Sequence, residues 1–249
     1  MAGHSKFANI KHRKGAQDKK RAKIFTRCVK EIIVATKGGS PDPSMNPRLR
    51  AAIQAAKSEN VPKDKIEGAI KRGSGETEGE NYEEMRYEGY GPAGIALIVE
   101  VLTDNKNRAA GDIRAAFSKH GGNMGETGSV GFMFERAGQI EYGTDAADEE
   151  AMFEAALEAG AENCESDEEA HLITTSFETL HEVSSALESS YGEPKSAKPA
   201  WLAKTPTELS LEDAEKLMRL IDALEESDDV QEVTSNAEFT DEVMEKLSA

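Results

Sequence analysis

Residues 84–104 read EMRYEGYGPAGIALIVEVLTD, and their pattern decides the fold class. EMRYEGY leads into a turn built on Gly91, Pro92, Ala93 and Gly94, and IALIVEVL follows as an apolar run interrupted only by Glu100. Two β-prone runs about a Gly/Pro turn predict a hairpin with a well-buried second strand. Thr103 or Asp104 then caps a helix reaching about Lys119, with Ala110, Ile113, Ala116 and Phe117 inward. Gly121 and Gly122 stop it. After the Gly-rich loop, SVGFMFE (129–135) reads as a third strand.

Upstream, the period changes from strand to helix. Residues 1–15 are polar and basic and read as a poorly ordered arm. A helix is expected from about Ala16 to Lys37, with Ile24, Cys28, Val29, Ile32 and Ile33 on one apolar stripe. That places its lysines, Lys30 included, on the outside. Asn46 caps a second helix with Pro47 at its first position; Leu49, Ala52, Ile53 and Ala56 form its inner face. Pro62 opens a third, with Ile66 and Ile70 inside, ending near Gly73. SGETEGEN (74–81) is a linker.

Downstream, residues 137–205 carry a complete order of their own: strand 139–142, helix 146–159, strands 162–165 and 171–175, helix 177–190, strand 200–204. Thr175 and Glu178 make a capping box for the second of these helices. This βαββαβ order is ferredoxin-like. Ser210 and Asp213 then bracket the start of a helix lined by Leu217, Met218, Ile221 and Leu224, and VQEVTSN (230–236) is a strand. A lone helix and strand cannot bury their apolar faces, so 206–249 is expected to return and complete the sheet of 82–136. The fold class is therefore α+β: an N-terminal helical bundle (1–75), a discontinuous α/β domain (82–136 with 206–249), and a ferredoxin-like domain (137–205) inserted into it.

Charge is divided as sharply as pattern. Residues 1–75 hold 18 Lys/Arg against 6 Asp/Glu, while the other 174 hold 12 against 41 in a chain of formal net charge −17. Such asymmetry assigns different tasks to different parts. The densest basic run is HSKFANIKHRKGAQDKKRAKIF (4–25), with eight Lys/Arg and the single acid Asp18. Lys6, Lys11, Arg13, Lys14, Lys19, Lys20, Arg21, Lys23 and Arg27 are natural partners for phosphates, and their binding is salt-sensitive through counterion release. His4, Phe7, Asn9 and His12, interleaved with them, supply stacking and hydrogen bonding to bases. The alternative is a solvated basic helix, or one attracted to the chain's own acidic domains. A helix-turn-helix needs several outward side chains that read base edges, whereas the third helix, KDKIEGAIKR, offers mainly Lys63, Lys65, Lys71 and Arg72, with Glu67 against them, and lysines position on phosphates.

Four segments carry a family resemblance: MAGHSKFANIKHRKGAQDKKRAKIF (1–25), YEGYGPAG (87–94), TDNKNRAAGDIRAAFSKHGGNMG (103–125) and SVGFMFE (129–135). Together they resemble the YebC family, which includes the mitochondrial translational activator of cytochrome c oxidase. Phe7 stands where the family usually has Trp, which keeps an aromatic face and loses the indole donor. The resemblance implies three domains with the third inserted, and no catalytic activity. It implies, first, a DNA-binding transcriptional regulator and, alternatively, a ribosome-associated factor on rRNA or tRNA that eases translation of proline-rich stretches.

The remaining motifs are less pointed. Asp104, Asn105, Lys106, Asn107 and Arg108 stand at a strand-to-helix junction and form a candidate partner-contacting surface. The alternative is a cap with ordinary loop polarity. GGNMGETGS (121–129) follows a helix and lacks the Lys-Ser/Thr ending of a phosphate-binding loop, so it reads as a mobile loop. The five histidines have no metal-ligand spacing, so neither metal nor cofactor is expected. Residues 137–205, with 16 acids and 3 bases, offer a surface for a basic protein or for solubility. Two distant cysteines, no signal-like apolar segment and no membrane-length run point to the cytoplasm.

Overall fold

A computed structural model describes residues 17–76 and 81–248. Three helices come first: α1 (Gln17–Lys37), α2 (Pro47–Ser58) and α3 (Lys63–Gly73). Asn46 starts α2, its Oδ1 accepting from Leu49 N at 3.1 Å. Its amide donates to Ala35 O at 2.8 Å and Ser40 O at 2.9 Å, so one buried side chain fixes both the helix start and the loop before it. Ile32, Leu49, Ala56 and Ala69, one or two from each helix, are fully buried. Gly73 lets α3 end against α1: a Cβ there would lie 2.6 Å from Thr36 Cβ and 2.7 Å from Ile33 O.

The sequence division of α1 into an inner stripe and an outer basic face does not hold: Lys23 and Arg27 are half-buried like the stripe residues beside them. Ile24, Cys28 and Val29 are half-buried, and Lys30 is buried. From Ile32 to Thr36 the helix is covered on nearly all sides, so the lysine stem is enclosed along with the apolar residues.

The first sheet has the order β3-β1-β2-β9. β1 (Glu83–Tyr90) and β2 (Ala96–Thr103) form the expected antiparallel hairpin, with Tyr87 opposite Val99. Ala93 at φ 56° and Gly94 at φ 75° turn the chain between them. β9 (Val230–Ser235) lies antiparallel to β2, Val99 opposite Val233, with a bulge after Glu100. The C-terminal segment therefore does return to this sheet. α4 (Lys106–Lys119) and α7 (Leu211–Glu225) supply its cover: Ile113, Phe117, Leu217, Ile221 and Leu224 join Leu97, Val99 and Val101 in one core.

Two details correct the strand and cap expectations. The fourth strand of this sheet is β3 (Asn123–Met124), from the Gly-rich loop, where a Cβ on Gly89 would lie 2.7 Å from Asn123 O. SVGFMFE instead makes a short turn of helix at Gly131–Met133 and then enters β4 (Phe134–Gly143), one long strand that absorbs the separate strand expected at 139–142. The cap of α4 is Asn105, whose Oδ1 accepts from Arg108 N at 3.1 Å; Thr103 Oγ1 accepts from Asn105 N instead.

The second sheet has the order β5-β6-β4-β7, built from β4, α5 (Glu149–Glu158), β5 (Asn163–Ser166), β6 (Ala170–Ser176), α6 (Leu180–Tyr191) and β7 (Ser196–Ala203). That order is the ferredoxin-like one. Ile140, Tyr142, Met152, Ile173 and Leu187 fill its core. The capping box is replaced by a turn in which Ser176 Oγ accepts from Thr179 N at 3.1 Å, so α6 starts later than expected. Ser210 caps α7 as expected, accepting from Asp213 N at 3.2 Å. A two-residue pair, β8 (Thr207–Glu208) with β10 (Ala237–Glu238), and α8 (Asp241–Ser248) finish the chain.

By contacts, the described chain divides into two compact units: 17–27, 81–135 and 202–248, and then 28–76 with 136–201.

In the first unit, Asp229 is buried and accepts from Thr103 Oγ1 at 2.9 Å and from Arg108 at 2.7 Å. Asp229→Ala strips these donors of their acceptor. Thr103 keeps a second acceptor in Asn105 O, so the loss is at the modest end for a buried pair, about 2 kcal/mol. Chemical denaturation of the full chain measures it.

Glu88, also buried, accepts at 2.8 Å from both Val130 N and Gly131 N. Burial pushes its pKa up, but these backbone donors, Gly128 and nearby Arg86 together hold it below the ordinary carboxylate value. Its contribution to stability is therefore complete above the unfolded-state pKa and is lost as pH falls through the lower folded-state value. Glu88→Gln is expected to lower stability at neutral pH by about 1–3 kcal/mol and to flatten the acid limb of the stability profile. Unfolding midpoints measured from neutral to acid pH test both effects.

Candidate nucleic-acid interface

The basic run enters the described structure only at its end. His4, Lys6, Phe7, Asn9, Lys11, His12, Arg13 and Lys14 lie outside the described residues, as do the side chains of Lys19 and Lys20. Arg21, Lys23 and Arg27 are described, and the last two are engaged within the protein. Lys23 donates from Nζ to Glu226 O at 2.6 Å, and Arg27 donates to Glu225 O at 3.1 Å. Both carbonyls belong to the last turn and cap of α7. A helix end exposes unpaired carbonyls and carries partial negative charge, and α7 has no basic residue in its own last turn. Two cations of α1 supply what α7 lacks. Arg21 is exposed and stands over the Phe25 ring at 5.9 Å.

The other two helices of the N-terminal part carry further lysines and arginines. On α3, Lys63, Lys65 and Lys71 are exposed, with Lys63 3.6 Å from Glu67. Arg72 donates to Gly68 O at 3.3 Å. α3 contains no Asn, Gln, Ser or Thr. The amide-bearing Gln54 of α2 is buried. Arg48 forks onto Glu31 at 2.7 and 3.2 Å, and Lys57 lies 3.8 Å from Glu193 of the acidic stretch. Such exposed pairs contribute little to stability.

At the strand-to-helix junction, structure accounts for most of the polar residues. Asn105 is the cap, Lys106 pairs with Glu83, and Arg108 bridges Asp104 at 2.6 Å and buried Asp229 at 2.7 Å. The two carboxylates raise the Arg108 pKa above its ordinary value, so it is charged at every working pH. Asn107 is exposed. The Gly-rich loop is fastened to β1: Gly125 N donates to Glu88 O at 2.8 Å and the Tyr90 hydroxyl to Ser129 O at 3.1 Å. Sequence reading missed Glu88 and Asp229, because their partners lie 42 and 126 residues away. His171 is a satisfied core residue, its ring nitrogens 2.7 Å from Ser166 Oγ and 3.0 Å from Ala147 O. No described helix is long and apolar enough to cross a membrane.

These features define a class: an α+β chain whose basic helical N-terminal part is followed by two antiparallel four-stranded sheets, the second of ferredoxin-like order. The family model of the TACO1/YebC protein N-terminal domain matches residues 5–76, and that of the TACO1/YebC second and third domain matches residues 82–237. The chain belongs to the TACO1/YebC family. Its fold is similar to the crystal structure of a conserved hypothetical protein, Aq1575 from Aquifex aeolicus, with a TM-score of 0.86 and 45% identity over 93% of this chain and 96% of that one.

Lys23→Ala and Arg27→Ala are each expected to lower stability by about 0.5–1 kcal/mol through the uncapped end of α7. Denaturant midpoints compared at low and high salt check this, since the loss shrinks as salt rises.

Proposed function

We propose that this protein is a non-catalytic, cytoplasmic regulator of gene expression that binds nucleic acid through its basic N-terminal part and grips the phosphate backbone rather than base sequence. The observation that carries this reading is the side-chain inventory of the helical part. α3 presents three lysines and Arg72 but no amide or hydroxyl side chain, and the Gln54 amide is buried. Phosphate contacts position a protein without specifying sequence. Structured RNA, such as rRNA or tRNA on the ribosome, suits that chemistry, because it is recognised by shape and backbone and offers unpaired bases for Phe7 and the two neighbouring histidines. A DNA-binding transcriptional regulator is the second reading, favoured by the transcription-regulator label of the family model matched over residues 82–237.

Binding of the full chain to structured rRNA, a promoter duplex and a random duplex, each across a salt series, separates the readings. Tighter binding to the RNA with equal affinity for the two duplexes is expected. A preference for the promoter at every salt would favour the second reading. Deleting residues 1–16 removes four Lys/Arg, so the salt slope should fall by about 3. An unchanged slope would show that the arm makes no phosphate contacts. Sedimentation of cell lysate through a gradient adds an independent check: absence from ribosomal fractions even at low salt would exclude the ribosomal target.

A further inference from the structure

The ferredoxin-like part contains a helix whose outer face works against its own stability. α5 turns Met152 and Ala156 fully into the core, yet leaves Phe153 and Leu157 43% and 45% exposed. Four residues apart, these two form one apolar ridge. Beside it runs a second ridge of exposed acids, Glu150, Glu154 and Glu158, also four apart. Like charges at that spacing destabilise a helix, and Glu158 adds a negative charge at the end whose carbonyls already repel it.

Two other surface helices of this protein are built the opposite way. α7 pairs Lys216 with Glu212 and Arg219 with Glu215, and α8 pairs Lys246 with Glu242, all at the same spacing. Around α5 no such partner exists in sequence: residues 144–162 contain seven acids and no Lys or Arg. Solubility alone needs neither an exposed phenyl ring nor an uncompensated ladder of carboxylates.

We propose that the outer face of α5 is a docking surface for a basic, amphipathic protein segment. Apolar side chains of that segment cover Phe153 and Leu157, and its Lys or Arg residues lie along Glu150, Glu154 and Glu158. Charge complementarity selects this occupant: an acidic ladder repels nucleic acid and other acidic surfaces, and the apolar ridge rewards a partner that brings apolar groups along with its positive charge. The proposal is independent of what the N-terminal part binds.

The test uses the full chain and a fluorescent helical peptide of lysines with leucines four residues apart, compared with the same peptide carrying serine for leucine. The leucine peptide is expected to bind about tenfold tighter. Phe153→Ser with Leu157→Ser should abolish that preference while leaving the salt dependence in place. Glu150→Gln, Glu154→Gln and Glu158→Gln together should weaken both peptides and flatten the salt dependence, with thermal stability unchanged or raised. Since the second set keeps every apolar contact, it reports even if the first variant folds poorly. The proposal is overturned if the serine-substituted protein still prefers the leucine peptide, or if the glutamine variant binds as the parent does. It is equally overturned if deleting residues 1–16 raises peptide affinity about tenfold, because the face is then occupied by the chain's own arm. Self-association that the serine variant abolishes would make the occupant a second copy and overturn it too.

Discussion

The returning C-terminal segment holds β2 at both ends with buried polar side chains. At one end Asn236 exchanges two hydrogen bonds with Ala96, its Oδ1 accepting from Ala96 N at 2.8 Å and its own N donating to Ala96 O at 3.2 Å. At the other, Asp229 O accepts from Leu102 N at 2.8 Å while its carboxylate takes Thr103 and Arg108. β2 is the most buried strand of the first sheet, and every backbone group along it must find a partner. β9 supplies those partners from more than a hundred residues away, and the two polar side chains fix its register where the ladder ends. The whole ferredoxin-like segment is inserted in sequence between strands joined this way, so β2 keeps a partner on both sides, β1 and β9.

Glu88 plays the matching part where the chain leaves that sheet. Its carboxylate collects the backbone N–H groups of Val130 and Gly131 just before β4 begins. Those groups have no ladder partner in a tight turn, and burying them unpaired would cost as much as a hydrogen bond or more. One acid on β1 therefore holds the start of the short helical turn, Gly131–Met133, that leads into β4.

Periodicity made much of this architecture legible. The hairpin, the helix starts at Asn46 and Ser210, and the βαββαβ order rest on local alternation, capping and glycine positions, which a sequence displays directly. What escaped it was set by distant partners. Strand β3 depends on Gly89 having no side chain opposite Asn123, and β4 runs continuously because its second half pairs with β6, Ile140 opposite Ile173. The buried acids escaped for the same reason: nothing local separates Asp229 from Asp228 or Glu88 from Glu84. The candidate interface was legible as composition and less so as geometry. Charge marked Lys23 and Arg27 as cations; only the structure gives them carbonyl partners on α7.

That assignment changes how the basic run divides its work. Lysines and arginines are counted alike in a net charge, but a cation already bonded to helix carbonyls must give up those bonds before it meets a phosphate. The gain from such a residue is a difference between two partners, whereas a solvated cation surrenders only water and counterions. Lys23 and Arg27 thus serve first to seat the start of α1 on the end of α7, while Arg21, two residues before Lys23, is exposed. The same logic applies on the acidic side. Acids on α7 and α8 are answered by neighbouring bases and stabilise their own helices, but the ladder on α5 has no such answer within its helix. In both parts of the chain, a partner would meet first the charges the fold has not already used.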